Sequence, residues 1–352
     1  MSNPDRATFK SFNAETFDDA AAVACAAFHS KHMVRILRKI LANPYAKENN
    51  ESSFGDIAYV DGEPVGFQAI IPFRLYDGQT PIRATIGSSL GVVPGTSPVV
   101  LFDLIMRPFS AKRGSGFHFS NTANRNVVRL SRFTGVSENG GDSWKGYRYA
   151  VINPLQFISY VLWNKVLKRS FRGKIERIGR GVDFSISQGR IEIVRQIQID
   201  KAAFDGFWNR YLQANKGIVS SRSAAEIEWM FGGGIDNGTD VLLSASSNGA
   251  MCGYVIVRSG DDRRWKVVDM IALHNDGSII AALLTAAKHF LRRHSCAAML
   301  RISGFPDFIQ DVIATNFPHR RKGVHVPFIY EPYKIPKEDS WFFGPYDGDA
   351  AF

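Results

Sequence analysis

The side chains that could act as nucleophiles or metal ligands are scattered along this chain of 352 residues. Its three cysteines, Cys25, Cys252 and Cys296, are too few and too widely spaced for a disulfide framework or a cysteine-based zinc site. The sequence contains no Gly-x-Ser-x-Gly elbow, no Walker loop, no His-Glu-x-x-His motif and no dinucleotide fingerprint. It therefore offers no support for the enzyme classes that these motifs mark, and it predicts a protein without a metal.

The chain is strongly basic. It has 43 Lys and Arg against 33 Asp and Glu, a net charge of +10 at pH 7. A positive surface favours anionic partners, which include nucleic acid, an anionic membrane, a phosphorylated cofactor and an acidic protein. The basic residues are densest at 165–174 and 319–322. No RNP, zinc-finger or helix-turn-helix pattern accompanies them, so we expect no nucleic-acid partner.

The first half of the chain alternates helices and strands around turn residues. The expected elements are helices at 16–28 and 33–41, a hairpin at 55–72, a long strand at 81–91, a helix at 99–108, a strand at 116–120 and a helix at 124–134. Asp61-Gly62 between two apolar runs predicts the hairpin turn. Thr16 and Asp19 have the spacing of a capping box at the start of the first helix.

The second half repeats this plan. The expected elements are helices at 201–215 and 223–231, a hairpin at 240–259, a long strand at 265–273, a helix at 278–293, a strand at 297–302 and a helix at 306–316. Between the halves, 154–173 is first apolar and then basic. We interpret this segment as a buried connecting helix, with an interfacial helix on an anionic membrane as the alternative.

This order of elements resembles the GNAT fold of the acyl-CoA N-acyltransferase superfamily. Short strings carry the likeness: Asn-Pro-Tyr at 43–45, Asp-Gly-Glu-Pro-Val-Gly-Phe at 61–67, Gly-Val-Val-Pro at 91–94, Glu-Trp at 228–229, Gly-Tyr at 253–254 and Trp-Phe-Phe-Gly at 341–344. The whole chain is similar to bacterial tandem-GNAT proteins, many of which are encoded among surface-polysaccharide functions.

The resemblance implies a mixed α/β (α+β) architecture with two GNAT-like domains. Each domain would have a mixed, mainly antiparallel twisted sheet flanked by helices. The expected limits are 1–152 for the first domain, 153–189 for a connecting helix and linker, and 190–352 for the second domain.

The resemblance also implies a donor site for acetyl-CoA or another acyl-CoA. In the family, the long strand binds pantetheine, and the following loop and helix N-terminus bind the pyrophosphate. The matching positions here are Gly91, Val92, Val93, Gly95, Thr96 and Ser97, with Asn121 and Asn124 after the next strand. The loop has one glycine and lacks the family's basic residue and second glycine. In the second half, Asp276 is predicted to cap a helix and to repel a pyrophosphate, so we interpret that loop as structural.

Family chemistry needs a general base, because an acceptor ammonium must lose a proton before it attacks a thioester. The candidates are His118, Asp56, Glu63 and His29, although His118 could equally lie on the solvent face of its strand. Members often carry a tyrosine that protonates the leaving thiolate. Phe133 lies in that region here. Tyr147 and Tyr149 are near in sequence and either could substitute, and we take Tyr147 as the candidate acid.

The sequence thus predicts a cytoplasmic acyltransferase that moves an acyl group from acyl-CoA to an amine, with an amino-sugar intermediate of surface polysaccharide as the acceptor. Two alternatives stay open. The incomplete phosphate loop suits a non-catalytic binding or scaffold protein, and the basic surface suits an acyl-carrier protein or aminoacyl-tRNA donor. Small-molecule donor and acceptor are the expected partners, and 154–174 is a candidate for peripheral membrane contact.

Overall fold

A computed structural model describes residues 7–109, 117–120, 137–138, 146–163, 175–260, 262–322, 329–330, 342 and 346. Asn121, Asn124 and Phe133, and the helix expected at 124–134, lie outside these ranges.

Sixteen strands form two sheets within the described ranges. They are β1 (Thr8–Ser11), β2 (Gly55–Val60), β3 (Glu63–Asp77), β4 (Thr80–Val92), β5 (Phe117–Ser120), β6 (Ser137–Glu138), β7 (Gly146–Val151), β8 (Ser185–Gln188), β9 (Ile191–Gln196), β10 (Ile218–Ser220), β11 (Asp240–Ser247), β12 (Ala250–Ser259), β13 (Arg264–Ala272), β14 (Met299–Ile302), β15 (His319–Lys322) and β16 (Ile329–Tyr330). The first sheet has the order β1-β2-β3-β4-β5-β16-β6, with β10 paired to β3. The second has the order β15-β7-β14-β13-β12-β11-β9-β8.

Helices flank both sheets. The α-helices are α1 (Phe17–Phe28), α2 (His32–Leu41), α3 (Pro44–Glu48), α4 (Pro98–Met106), α5 (Pro154–Val161), α6 (Lys201–Ala214), α7 (Ala224–Ile227), α8 (Gly233–Asn237), α9 (Gly277–His294) and α10 (Gln310–Asn316). A π-helical turn, Glu228–Gly232, joins α7 to α8. The predicted mixed α/β architecture, with two mostly antiparallel sheets flanked by helices, is confirmed.

The two halves match at the level of single irregularities. The β2–β3 hairpin has a bulge at Ala58/Tyr59, and the β11–β12 hairpin has one at Ala245/Ser246. Both hairpin turns place two successive residues in the left-handed region, Asp61-Gly62 and Asn248-Gly249. In each sheet the long strand then pairs in parallel with the strand that follows the helix. The predicted repeat therefore holds residue by residue in the central strands.

The halves also exchange strands. β7, which precedes residue 152, lies in the second sheet between β14 and β15, whereas β10 and β16 from the C-terminal half lie in the first sheet. One apolar core extends across both halves, since Phe67 and Phe117 belong to the same buried cluster as Tyr254 and Ile256. The domain limits expected at 152 and 189 stay a prediction.

The N-terminus of α1 is capped differently from the prediction. The Thr16 side chain makes no capping hydrogen bond to the helix and instead donates to the Ser11 carbonyl at 2.8 Å. Asn13 Oδ1 accepts from the amides of Glu15 and Thr16. Asp19 accepts from the Tyr59 hydroxyl at 2.6 Å. The predicted capping box is wrong because both of its side chains bond elsewhere.

Helix α5 is not buried. Leu155 is 78% exposed, Ile158 is 55% exposed and Leu162 is 49% exposed, while Tyr160 packs against Ala298 and Met299 on the opposite side. The interpretation of 154–173 as a buried helix is therefore wrong for its described part, 154–163. None of the helices in the described ranges is long and apolar enough to span a bilayer.

Candidate functional site

The long strand β4 separates from its neighbour. β4 pairs with β5 only at Ala84, Thr85 and Ile86, and the described part of β5 ends at Ser120. A bulge in the β3–β4 ladder and a left-handed Ser89 (φ 50°) distort β4 just beyond this point. Beyond Ile86, the described strands form no further ladder on the β5 side of β4. This edge matches the position predicted to bind pantetheine.

The loop after β4 is a tight turn. The Thr96 amide donates to the Val93 carbonyl at 3.1 Å, and Gly95 has φ +90°. Proline at the second position and a left-handed glycine at the third define a type II turn. A Cβ at position 95 would meet nothing within 4 Å, so the turn leaves open space beside Gly95.

The first backbone amides of α4 are already hydrogen-bonded within the turn that starts the helix. The Val99 amide donates to Ser97 Oγ, the Val100 amide donates to the Ser97 carbonyl, and Pro98 has no N–H. The predicted phosphate loop therefore offers few spare amides. Gly91 and Val92 have packing roles: a Cβ at 91 would lie 2.7 Å from the Ala27 Cβ, and Val92 packs in the cluster under α4.

His118 lies at the point where β4 and β5 separate, and it is only 4% exposed. The strand alternation sends Phe117 and Phe119 into the core and His118 to the opposite face. Thr85 Oγ donates to the Phe117 carbonyl at 3.5 Å and lies 2.9 Å from His118 Nδ1. The tautomer sets the direction of this bond: when Thr85 donates to the Phe117 carbonyl, Nδ1 carries the proton and donates to Thr85, and Nε2 is the basic nitrogen. The expectation of a solvent-facing His118 is wrong.

The same face carries a row of buried polar side chains across three further strands. Asp56 on β2 is paired directly opposite Gln68 on β3, and the two are 1% and 7% exposed. A Cβ at Gly87 would lie 3.0 Å from His118 Nε2 and 3.6 Å from Gln68 Nε2, so both side chains border this glycine. Gln68 Oε1 is buried and finds no hydrogen-bond partner among the described residues.

Arg107, at the C-terminal end of α4, contacts the Asp56 end of this row. Its guanidinium lies 3.2 Å from Asp56 Oδ1 and stacks 4.4 Å from the Phe9 ring centre. The row from Asp56 through Gln68 and Gly87 to His118 is referred to below as the polar row. A buried carboxylate, amide and imidazole on one face form a site that can exchange protons and donate hydrogen bonds.

The second sheet has four residues at the positions equivalent to the polar row, and all four are apolar. The shared register places Leu243, Val255, Val267 and Leu300 at the positions of Asp56, Gln68, Gly87 and His118. All four are buried in the core under α9. The first sheet therefore has polar side chains at positions where the second sheet, its structural repeat, has buried apolar residues.

In the loop after β13, the Asp276 side chain has a structural role. Asp276 caps α9, and its carboxylate accepts from the Ser278 amide and hydroxyl at 2.7 Å. The hydrogen bond from the Ser278 hydroxyl lowers the pKa of Asp276, so its negative charge is stabilised here. The predicted helix cap is confirmed. This described segment therefore has a carboxylate at the start of α9, where a phosphate-binding loop would have none.

The other predicted residues lie elsewhere. Glu63 and His29 are exposed, in a hairpin turn and at the C-terminal end of α1. Tyr147 lies on β7 in the second sheet, where its contacts are with Arg301, Arg321 and Tyr149. It does not contact His118, and its catalytic role stays a prediction.

Sequence reasoning missed Gln68, Thr85 and Arg107. The alternation Phe-His-Phe at 117–119 could have identified His118 as buried on the second face of its strand, because two core phenylalanines fix the direction of the side chain between them. Within the described ranges no three His, Cys, Asp or Glu side chains are grouped as around a metal ion, and the absence of a metal stays a prediction.

Comparison with known proteins supports the fold. No family model and no curated protein matches the sequence. A GCN5-related N-acetyltransferase from Anabaena variabilis superposes with a TM-score of 0.57 at 13% identity, over 92% of this chain and 72% of that one. A putative acetyltransferase from Pyrococcus horikoshii superposes with a TM-score of 0.54 at 13% identity, over 97% and 95%. N-myristoyltransferase from Saccharomyces cerevisiae, solved with bound myristoyl-CoA, gives 0.51 at 9% identity, over 94% and 82%. The chain has the GNAT fold.

Proposed function

We propose that the protein transfers an acyl group from acyl-CoA to an amine, with the polar row as the catalytic site. The observation that carries this proposal is the contrast between the two sheets. Burial of His118, Gln68 and Asp56 carries a cost that their apolar counterparts avoid, and the row ends with His118 beside the separation of β4 from β5. The GNAT fold of the solved N-acetyltransferases supports the same reaction class.

His118 acts as the general base. Its Nε2 takes the proton from the acceptor ammonium, and the amine nitrogen then attacks the thioester carbonyl carbon. A C–N bond forms, the C–S bond breaks, and the thiolate of CoA leaves and takes up a proton. The hydrogen bond between Nδ1 and Thr85 holds the ring in the tautomer that this step needs.

The donor lies along β4. The backbone of β4 at residues 89–92 supplies hydrogen-bond partners for the pantetheine amides, and the open space beside Gly95 receives the pyrophosphate. Thr96 and Ser97 supply hydroxyls there. Few spare amides remain in this loop, so we expect the donor to bind more weakly than a loop with two glycines would allow.

The finer proposal is an amino-sugar acceptor from surface-polysaccharide synthesis, used at a membrane surface. The exposed apolar side of α5, with Leu155, Ile158 and Leu162, supports peripheral membrane contact. The segment that follows, 165–174, has five Lys or Arg and no acidic residue. Basic residues next to an apolar helix face are the composition that anionic bilayers attract.

Calorimetry with acetyl-CoA tests the donor site, with desulfo-CoA and an acyl-carrier protein as comparison ligands. Gly95→Asp and Gly95→Ala form a matched pair, because both strain the same left-handed backbone and only Asp adds a charge beside the pyrophosphate. We expect Gly95→Asp to bind acetyl-CoA at least about tenfold more weakly than Gly95→Ala.

Equal affinity in the two variants would reject this donor site. Absence of acetyl-CoA binding up to millimolar concentration would instead favour a carrier-protein donor or the non-catalytic scaffold. The carrier-protein titration separates these two, because only the first predicts saturable binding of that ligand.

A further inference from the structure

The second sheet has its own departure from the repeat, on the face opposite α9. Arg264, Lys266 and Arg301 lie on this face, at the positions that Ala84, Ile86 and Phe119 occupy in the first sheet. Those three counterparts are 0%, 2% and 0% exposed and belong to the apolar core. Cations have therefore replaced core residues at one end of the second sheet.

Two tyrosines hold these cations together. The Arg301 guanidinium lies 5.9 Å from the centre of the Tyr147 ring, and Arg321 on β15 donates to the Tyr147 hydroxyl at 3.4 Å. Arg264 lies 5.6 Å from the centre of the Tyr160 ring on α5. Arg264, Arg301 and Arg321, with Tyr147 and Tyr160, are called the cationic cluster below.

The charge of the cationic cluster is not balanced by the described residues. Arg264 forms an ion pair with Asp262, but its buried Nε has no hydrogen-bond partner. Arg301 and Arg321 form no ion pair with any carboxylate in the described ranges. Burial, and then the charge of Arg264, lower the pKa of Arg301, which reflects an environment that disfavours a lone cation. A bound anion would remove this imbalance.

We infer that the cationic cluster binds a phosphate or pyrophosphate group. Guanidinium groups present paired N–H donors that match two oxygens of one phosphate, and a phenol adds a further donor. The anion site does not depend on the proposed function.

The phosphate could belong to a soluble ester or to a lipid headgroup. Helix α5 lies next to the cluster: its Tyr160 contacts Arg264, and its Phe157 stacks on Tyr149 of β7 with ring centres 6.0 Å apart. Both sources present the same chemistry to the three guanidinium groups, and the experiment has one arm for each.

The first arm is calorimetry of the full chain with inorganic pyrophosphate, in the presence of saturating acetyl-CoA. The second arm is sedimentation with vesicles of phosphatidylglycerol and phosphatidylcholine against phosphatidylcholine alone. The variants are Arg301→Gln and the more exposed Arg321→Gln, which tests the cluster if the first variant folds poorly. Arg190→Gln is the control, because it removes the same charge from an exposed turn at the far edge of the same sheet.

We expect at least a tenfold loss of pyrophosphate affinity in Arg301→Gln and Arg321→Gln, and none in Arg190→Gln. A loss confined to the phosphatidylglycerol vesicles would support the same site with a lipid source. Unchanged binding of both ligands in both variants would overturn the inference, as would competition between acetyl-CoA and pyrophosphate for one site. His118→Asn separates the two proposals, since it should abolish transfer and leave pyrophosphate binding intact.

Discussion

The polar row of the first sheet and the apolar row of the second occupy the same positions in a repeated fold. One has Asp56, Gln68 and His118, and the other has Leu243, Val255 and Leu300. The apolar version shows what stability alone selects at these positions. The polar version therefore marks a place where chemistry has taken precedence over packing.

The second half also buries charge, but in a closed arrangement. Arg222 and Asp269 are both 0% exposed, with Nη2 and Oδ1 3.1 Å apart. The Tyr254 hydroxyl donates to Asp269 Oδ2 at 2.6 Å, and Ser220 accepts from Arg222. Each of these groups has its partners in the structure. The difference is between polar groups that are hydrogen-bonded to one another and a row in which Gln68 Oε1 has no hydrogen-bond partner within the described part of the chain.

The largest effect should come from His118→Asn. Loss of a positioned base typically lowers a rate by about 10²–10⁴-fold, so we expect a drop of that size in kcat/KM for acyl transfer to amines, with acetyl-CoA affinity nearly unchanged. Release of CoA thiol measures the rate. His29→Asn is the control, because His29 is exposed and left-handed, a conformation that Asn tolerates. A His118→Asn variant with undiminished activity would contradict the assignment of the polar row as the catalytic site.

The next effect should be on stability. Arg222→Met leaves Asp269 buried without its cation, and breaking such a pair costs about 3–5 kcal/mol. We expect a loss of this size in the free energy of unfolding, measured in urea. Arg180→Met removes an exposed ion pair with Asp236 and should cost about 0–1 kcal/mol. Equal costs for the two variants would show that the buried network is not the structural counterpart of the polar row.

Much of the fold could be predicted from the sequence because its signals are local. Helix periodicity, Asp61-Gly62 and Asn248-Gly249 fix the helices and both hairpins. The exchange of β7 and β16 between sheets could not be predicted, because strands of two to six residues carry no signal for their distant partners. The capping box at Thr16 was wrong, whereas Ser223-Ala-Ala-Glu226 carries the same pattern and forms a complete one.

The candidate site could be predicted only in part. The resemblance pointed to β4, its loop and His118, and the structure places these at one end of the first sheet. Gln68 and Asp56 become part of the site only through strand register, since they are neighbours across a ladder and not along the chain. Arg264, Arg301 and Arg321 come from three strands far apart in sequence, and no local pattern joins them.

A smaller effect should separate function from stability in the polar row itself. Gln68→Met keeps nearly the same volume and removes a buried amide oxygen that has no hydrogen-bond partner among the residues described. We expect the free energy of unfolding to rise by about 1 kcal/mol, because the desolvation cost of that oxygen disappears, while acyl transfer falls. Gln196→Met is the control: its amide donates to Ser244 Oγ at 2.8 Å, so its removal should destabilise. A destabilised Gln68→Met variant would contradict this account.

The last effect depends on pH and concerns a contact between the two halves. Lys39 on α2 donates to the Met230 carbonyl at 2.6 Å, and Trp229 donates back to the Lys39 carbonyl at 2.7 Å. Burial, and the nearby charges of Arg258 and Arg35 against that of Asp240, lower the pKa of Lys39 to about 7 from a normal value of 10.5.

Between these two pH values the unfolded chain keeps a proton on Lys39 that the folded chain has lost, so the free energy of unfolding should rise with pH relative to Lys39→Met. Below about pH 7 both states hold the proton, and this stabilisation is absent. Urea unfolding at several pH values from 6.5 to about 9.5 measures the difference between the two proteins. Lys201→Met is the control, because its exposed ion pair with Glu228 raises the pKa of Lys201 and predicts no such rise in this range. Parallel curves for the native protein and Lys39→Met would show that α2 and the π-helical turn hold a charged lysine, and that the contact between the halves does not depend on pH.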